Sequence, residues 1–310
     1  MTVKFSCVMD KNPRFGEQAL VWASSLLVYG GQVPDSLVIH AVGECALEYR
    51  RIFDNWGIDV RIVQRFDERH PNSNKLTQLE SEALHSADYV VLCDCDLAFC
   101  ADISLWIKGD SVRARVASWQ GLPHDRWEKV FQMAGLKLPA ARVTALWRNE
   151  ETLPSYCNGG IYAIPQPLFQ KLCEAWPRWD RWLLGHRDLI RPFGGFADQI
   201  SFSMSCEELG LTVDHVPLEL NFDGVSSPFG LRRVAEKTDI QPLVLHYHQL
   251  DERGLLRLIR IPSVNREIHK INDLILLAKR VNFHLPTLLF LREARPVPYE
   301  KTKTESVEAC

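Results

Sequence analysis

The 310-residue chain reads as an α/β protein, with a mostly parallel central sheet flanked by helices and a helical extension at its C-terminal end. Three observations predict this. Apolar runs of strand length alternate with segments of helical periodicity from residue 3 to about residue 100, the pattern of parallel strands joined by helical crossovers. The run DYVVLCDCDLAF at 88–99 is apolar and carries acids towards its end, where open α/β sheets bind ligands. From Asn265 the strand pattern gives way to an apolar helix.

In order, VKFSCVM (3–9) reads as the first strand. Phe15 to Tyr29 reads as a helix with Ala19, Trp22, Ala23, Leu26 and Leu27 on one face, stopped by Gly30-Gly31. Residues 36–43 form a second strand, 45–56 a helix and 59–66 a third strand. His70 to Lys75, polar and containing Pro71, reads as a loop before a helix with Leu76, Leu79, Ala83 and Leu84 on one face. Residues 114–119 read as a strand, and 120–150, rich in Arg and Trp, as an irregular insertion. NGGIYAIP (158–165) is a strand led in by a glycine pair. Pro177 is expected to break or kink the helix at 167–184. A helix over 196–210 precedes strand-like runs at 211–222 and 242–248. A helix over 265–280 and the proline-flanked LPTLLFL (285–291) follow. The division expected is a core unit 1–262, a helical extension 263–294 and a mobile polar tail 295–310.

Composition narrows the class. Hydrophobic residues at 46% and charged residues at 24% are those of a folded globular chain, which argues against disorder. The net charge of -3 gives no basic surface for nucleic acid. The N-terminus has no apolar signal region, and no run approaches the roughly 18 uninterrupted apolar residues of a membrane span. Nine cysteines, an odd count with several inside strand-like runs, fit free thiols in a reducing compartment. A cytoplasmic location is therefore expected. Cys93, Cys95 and Cys100 lack the paired CxxC spacing of a structural zinc site.

Four features could carry chemistry. Asp94-Cys95-Asp96 sits at the end of an apolar strand, where carboxylates two apart would face the same way and could hold a hard divalent cation. The alternative is a solvated strand terminus. His246 and His248 share one face of VLHYH, and either could ligate that cation or be an ordinary hydrogen-bonded core histidine. Asn158-Gly159-Gly160 offers a close backbone approach and an amide for sugar hydroxyls, or simply a strand-entry turn. In Gly194-Gly195-Phe196-Ala197-Asp198-Gln199, Asp198 could act at a reacting centre or complement the helix dipole. Trp176, Trp179 and Trp182 suggest an aromatic acceptor platform, with packing of an amphipathic helix as the plainer account. An acceptor lid and a structural insertion are the readings of Trp127–Trp147. Residues 285–291 with Arg292 and Arg295 are candidates for peripheral contact with a membrane or partner, against packing on the core.

The order of these motifs resembles the glycosyltransferase family that includes glycogenin, galactinol synthase and bacterial lipopolysaccharide galactosyltransferases. NKLTQLESEALHSADYVVLCDCDLAF is similar to that family's lysine-bearing helix and Asp-x-Asp strand, YCNGGIYAIP to its Asn-small-Gly strand, and GGFADQISFS to its Asp-Gln helix. VPLELNFDG resembles the strand that follows, and VLHYH the strand with a metal-binding histidine. The resemblance covers roughly residues 3–250 and implies a GT-A fold with residues 1–262 as the transferase domain. It also implies a nucleoside diphosphate sugar donor (a UDP-sugar foremost), Mn2+ or Mg2+ as cofactor, and transfer with retention. Asp94, Asp96 and His246 would bind metal. Val8, Met9, Asp10 and Lys11 would approach base and ribose, Lys75 would lie near the donor, and Asn158, Gly159, Gly160, Asp198 and Gln199 would line the sugar pocket, Asp198 being the catalytic candidate. The acceptor, a glycan, a lipid-linked sugar or a protein, is not specified. The family's lysine-containing stretch after the histidine strand is missing, and Arg253 or Arg257 is the expected substitute. A sugar-nucleotide pyrophosphorylase is one alternative, although VMDKNPRFG is a poor match to the basic, glycine-rich loop it would need. A non-catalytic carbohydrate- or partner-binding module on a transferase fold is the other.

Overall fold

A computed structural model describes residues 1–43, 47–146, 150–224 and 240–293. Strand β1 (Val3–Met9) lies between β2 (Leu37–Val42) and β4 (Tyr89–Cys93), parallel to both, and β2 pairs in parallel with β3 (Asp59–Val63). On the other side of β4 runs β9 (Cys157–Pro165), antiparallel to β4 and to β6 (Val112–Val116). β10 (Val213–His215) closes that edge, giving the seven-stranded order β10-β6-β9-β4-β1-β2-β3. The α/β class and the mostly parallel sheet agree with expectation. The strand expected at 114–119 lies two residues earlier, and only 213–215 of the run 211–222 is strand.

Helix α1 (Pro13–Val28) begins at Asn12, whose side chain accepts from the Arg14 N–H. It buries Trp22, Ala23, Leu26 and Leu27 against one face of the sheet, beside Phe53 and Trp56 of α2 (Leu47–Trp56). The opposite face is covered by α4 (Gln166–Gly185) and α6 (Ala197–Leu209). There Trp176, Phe202 and Tyr162 of β9 pack ring against ring at 4.5–5.2 Å between centroids. Pro177 does not break α4. Its missing N–H removes one helical bond, but Trp176 and Trp179 on either side are buried and hold both halves in register. That burial makes them packing residues and removes them as an acceptor platform.

Residues 71–80 form a 3-10 segment, with a further 3-10 turn at Glu82–Leu84, where a loop to Lys75 and then an α-helix were expected. Side chains compete with the backbone here. Asn74 Oδ1 accepts from the Phe66 N–H at 3.0 Å, and the Thr77 hydroxyl donates to the Asn74 carbonyl at 2.8 Å. Leu76, Leu79 and Leu84 are buried regardless. The insertion is more regular than predicted. It contains α3 (His124–Met133) and a hairpin of β7 (Val143–Thr144) and β8 (Glu151–Thr152). Trp127 and Phe131 of α3 are buried with Tyr156 and Leu183, as a structural element requires, and Trp147 lies outside the described residues. The four-residue α5 (Arg187–Ile190) joins α4 to the 3-10 turn Phe193–Phe196.

The feature that matters most for the site is the fate of 94–99. The acid triplet does not continue β4. The chain turns at Asp94–Asp96 and starts β5 (Leu97–Phe99), which leaves the main sheet and pairs antiparallel with β11 (Val244–His246). The expectation that Asp94 and Asp96 project together from a strand is therefore corrected: they sit in the connection between two sheets. Helix α7 (Pro262–Arg280) backs β11, burying Val264, Ile268, Ile271 and Ile275 in one cluster with Leu245, Tyr247 and Val21. α8 (Leu285–Glu293) places Leu288 in the core beside α1 and leaves Phe290 exposed. Among the described residues no helix is long and apolar enough to cross a membrane. The tail at 295–310 lies outside them.

Replacing Ile268 with Ala is expected to cost about 2–5 kcal/mol by chemical denaturation. Phe290→Ala should change stability by less than about 0.5 kcal/mol. The buried His40 gives a pH prediction. Burial pushes its imidazole down to about 4, with Ser6 Oγ 2.9 Å from Nδ1. Because the folded group refuses a proton that the unfolded chain accepts, stability should be full above about pH 6.5 and fall by roughly 1.4 kcal/mol per unit towards pH 4. Denaturation midpoints at pH 7 and 4.5 should diverge less in His40→Gln; an equal drop in both proteins would refute this.

Candidate active site

A cleft of about 720 Å³ opens beyond the carboxyl ends of β1 and β4. Val8, Asp10 and Lys11 line one end, Asp94 and Asp96 the floor with His246 and His248, and Lys75, Asp198 and Gln199 the other wall. Met9 is not among them; its side chain is buried in the core beneath α1.

The floor is built by the turn after β4 and by β11. Asp94 is fixed by its N–H, which donates to the Gly160 carbonyl at 2.9 Å, and the Tyr247 N–H donates to the Asp96 carbonyl at 3.1 Å. His246 Nε2 lies 3.3 Å from Asp96 Oδ1 and 3.9 Å from Asp94 Oδ2, and His248 Nδ1 lies 3.6 Å from Asp96 Oδ2. Burial opposes charge on His246, but the Asp96 carboxylate outweighs it and the imidazole is pushed up. Asp96, also opposed by burial, is held far below the usual carboxylate range by the two imidazoles. Burial and then the neighbouring Asp96 charge push Asp94 up, against the pull of Lys75. Atoms of Asp96, His246 and His248 lie within 4.8 Å of one another, close enough to share one cation.

Beside the floor, Lys75 Nζ bridges Asp94 Oδ1 at 2.8 Å and Asp198 Oδ2 at 3.0 Å, and donates to the Gly159 carbonyl at 3.2 Å. Burial penalises this ammonium, yet the two carboxylates raise it further than burial lowers it. Gly159 must be glycine for this: a Cβ there would lie 2.5 Å from Nζ. Asn158 and Gly160 lie behind the floor. Asn158 Oδ1 accepts from the Gly160 N–H at 2.9 Å and from Asn221 Nδ2 at 2.8 Å, and Asn221 Oδ1 lies 3.1 Å from His246 Nδ1. A carbonyl oxygen only accepts, so Nδ1 carries the hydrogen and Nε2 is turned to the carboxylates. A buried Arg115–Asp223 pair at 2.8 Å supports the far end of this chain, with Asn158 Nδ2 donating to Asp223 at 3.4 Å.

At the other end, Asp10 accepts from the Lys11 N–H at 2.6 Å, Arg65 at 2.9 Å and Asn74 at 3.0 Å. Burial disfavours its charge, but these donors hold it below the usual range. Lys11 and Arg14 supply cations to the cleft. Arg253 and Arg257 do not line it, and Arg253 pairs with Asp251 at 2.9 Å.

Sequence reasoning missed Gln18, Asn221, Asp223 and Arg115. Gln18, buried in α1, donates to the His248 carbonyl at 2.9 Å and accepts from the Cys95 thiol at 3.7 Å, so one amide touches both halves of the floor. A polar residue on the apolar face of α1 was the available signal. Asn221 could have been found as the asparagine before Phe222 in VPLELNF.

The sequence family described as the Rhodobacterales glycosyltransferase domain matches residues 6–210. Among solved structures the chain is similar to the galactosyltransferase LgtC in complex with donor and acceptor sugar analogues. That pair shares 13% identity with a TM-score of 0.56, covering 87% of this chain and 95% of that one. It is also similar to the apo form of the glycosyltransferase GlyE of Streptococcus pneumoniae TIGR4, at 14% identity and a TM-score of 0.53, over 91% of this chain and 64% of that one. At such identities the likeness shows the fold, which is GT-A. No curated protein matches the sequence. The family match spans well over half of the chain, from β1 through α6, and includes Lys75, the acid turn and Asp198; the chain is a glycosyltransferase belonging to the Rhodobacterales glycosyltransferase domain family.

Proposed function

We propose that the enzyme moves a sugar from a nucleoside diphosphate sugar, foremost a UDP-sugar, to a glycosyl acceptor, with a divalent cation held at the cleft floor and with retention of configuration. The observation that carries this reading is the meeting of Asp94, Asp96 and His246, joined by His248, at the base of a cleft large enough for a nucleotide sugar. Asp96 Oδ1 is buried without a hydrogen-bond partner among the described residues, as an oxygen awaiting a cation would be. The mixture of carboxylate oxygen and imidazole nitrogen suits Mn2+ better than the oxygen-seeking Mg2+. Such a cation would neutralise charge on a departing nucleoside diphosphate.

Val8, Asp10 and Lys11 would receive base and ribose, and Lys11 and Arg14 would face the diphosphate in the place expected of Arg253 or Arg257. Lys75 and Gln199 would position the sugar, with Gly159 and Gly160 giving the clearance behind it. Asn158 would act by holding Asn221, and through it His246, rather than by touching sugar. Asp198 would steady the positive charge that develops at the anomeric carbon. Its Oδ2 is already engaged by Lys75, which leaves it poorly placed to deprotonate an acceptor and supports retention over inversion. Residues 1–262 would form the transferase unit with 263–294 as an extension sharing its core, in the cytoplasm. The acceptor would be a glycan, a lipid-linked sugar or a protein.

A screen of nucleotide sugars with Mn2+ should show release of free nucleoside diphosphate that stops with chelator, and Asp96→Asn should lower kcat by about 100-fold or more. Full activity in chelator, or release of pyrophosphate instead, would overturn the reading. In Gly160→Ala the new Cβ would lie 2.8 Å from His246 Nδ1 and 2.9 Å from the Asn221 amide. Its Mn2+ affinity, measured by calorimetry, should fall about 10–100-fold, with near-normal far-UV circular dichroism.

A further inference from the structure

One stretch of backbone at the cleft floor is strained. β11 ends at His246, and two residues later His248 has φ +57°, a left-handed conformation uncommon for any residue but glycine. The Gln249 N–H donates to the Tyr247 carbonyl at 2.6 Å, which makes His248 the central residue of a γ-turn of the rare, strained hand. The two other non-glycine residues with positive φ among the described residues, Asn282 and Phe283, lie just beyond the end of α7, where left-handed residues commonly stop a helix. His248 stops no helix. Such strain persists only where the surroundings over-determine it, and it gathers at ligand sites.

The turn is held by Gln18, a polar residue buried on the apolar face of α1. Its Nε2 donates to the His248 carbonyl at 2.9 Å, and its Oε1 accepts from the Cys95 thiol at 3.7 Å. Cys95 stands between Asp94 and Asp96 in the chain. A single buried amide therefore ties the turn that carries His248 to the turn that carries both carboxylates. With the backbone held so, the His248 ring lies 4.2 Å from the His246 ring between centroids, and its Nδ1 lies 3.6 Å from Asp96 Oδ2.

These atoms are gathered without being hydrogen-bonded. The 3.6 Å from His248 Nδ1 to Asp96 Oδ2 exceeds hydrogen-bond length. Asp96 Oδ1 has no hydrogen-bond partner among the described residues, although His246 Nε2 is 3.3 Å away. Atoms each held about 2.1 Å from one ion stand about 3.0–3.4 Å apart, close to the separations found here. We propose that His248 is a second imidazole ligand of the floor cation, through Nδ1, and that Gln18 is the positioning residue that keeps it there by holding the strained turn. The cation then meets two imidazoles and the Asp96 carboxylate, rather than one imidazole and two carboxylates alone. A nitrogen-rich set of this kind favours transition ions over Mg2+. The inference rests on the proposed function only for the presence of a cation.

Electron spin-echo modulation of the full chain loaded with Mn2+ alone, without any sugar nucleotide, counts the imidazole nitrogens bound to the ion. The wild type should show two. His248→Gly, which suits the left-handed backbone, should show one, and so should Gln18→Met, which fills the same space but cannot donate to the His248 carbonyl. The nitrogen remaining in both variants, that of His246, reports that the floor is still folded. By calorimetry the Mn2+ dissociation constant should rise about 10–100-fold in Gln18→Met and at least as far in His248→Gly. One nitrogen in the wild type, or two in His248→Gly, would overturn the assignment of His248 and leave the proposed function standing. Two nitrogens in Gln18→Met would overturn the role given to Gln18. A wild type that binds no Mn2+ would sink this inference together with the proposed cation, whereas two nitrogens in a protein that turns over no sugar nucleotide would sink only the proposed function.

Discussion

The pairing of β5 with β11 is the constraint on which the cleft depends. Three residues after Asp94 and one after Asp96, the chain leaves the seven-stranded sheet and lays Leu97 opposite His246. That register brings a residue about 150 positions distant in sequence to within 3.3 Å of Asp96. A slip of one residue would turn His246 to the opposite face of its strand, and Tyr247, now buried in the cluster formed with α7, would face the acids instead. The apolar burial of Leu245 and Tyr247 against Ile268 and Ile271 therefore selects the polar geometry of the floor. This is why the C-terminal helix, far from the cleft, belongs to its construction.

The charges gathered by that pairing would be costly if left alone. Asp94, Asp96 and Asp198 meet Lys75 and His246 in a space largely withdrawn from water, where an unpaired charge costs several kcal/mol. Lys75 resolves part of the problem by bridging Asp94 and Asp198. His246 resolves another part, held at its far nitrogen by Asn221 and, through Asn158 and Asp223, by the buried guanidinium of Arg115. Asp96 Oδ1 is left without a hydrogen bond. Asp96 Oδ1, beside His246 Nε2 on the cleft floor, is thus left open to a ligand, and that opening is the physical content of the proposed cation site.

Much of this was legible in the sequence. Strand and helix alternation gave the parallel sheet because each crossover needs an apolar stripe and each strand an apolar run, and those periods are local. Short polar motifs in a fixed order marked Asp94, Asp96, Asn158, Asp198 and His246. What stayed hidden depends on partners far away in the chain. The 3-10 course of 71–80 follows from Asn74 finding the Phe66 N–H. The survival of α4 across Pro177 follows from tryptophans buried against other elements. Asn158 carries both donor and acceptor chemistry in the sequence, and only the fold shows that both are consumed by Asn221, Gly160 and Asp223.

The two ends of the cleft differ in character for the same physical reason. Asp10 is fixed by three donors from three separate stretches of chain, the Lys11 backbone, Arg65 and Asn74, which gives a stiff carboxylate at the end proposed for base and ribose. The Asp198 end is joined to its surroundings through a side chain that can change partners: the Ser201 hydroxyl lies between Asp180 Oδ1 and the Asp198 carbonyl. A hydroxyl can rotate at little cost where a guanidinium fork cannot. A rigid nucleotide end would hold one part of the donor in place while the sugar end, backed by a hydroxyl and a glycine pair, adjusts to the changing geometry at the anomeric carbon. Discrimination of the base would then be built into a fixed acceptor, and tolerance for movement would be confined to the wall at the proposed sugar end.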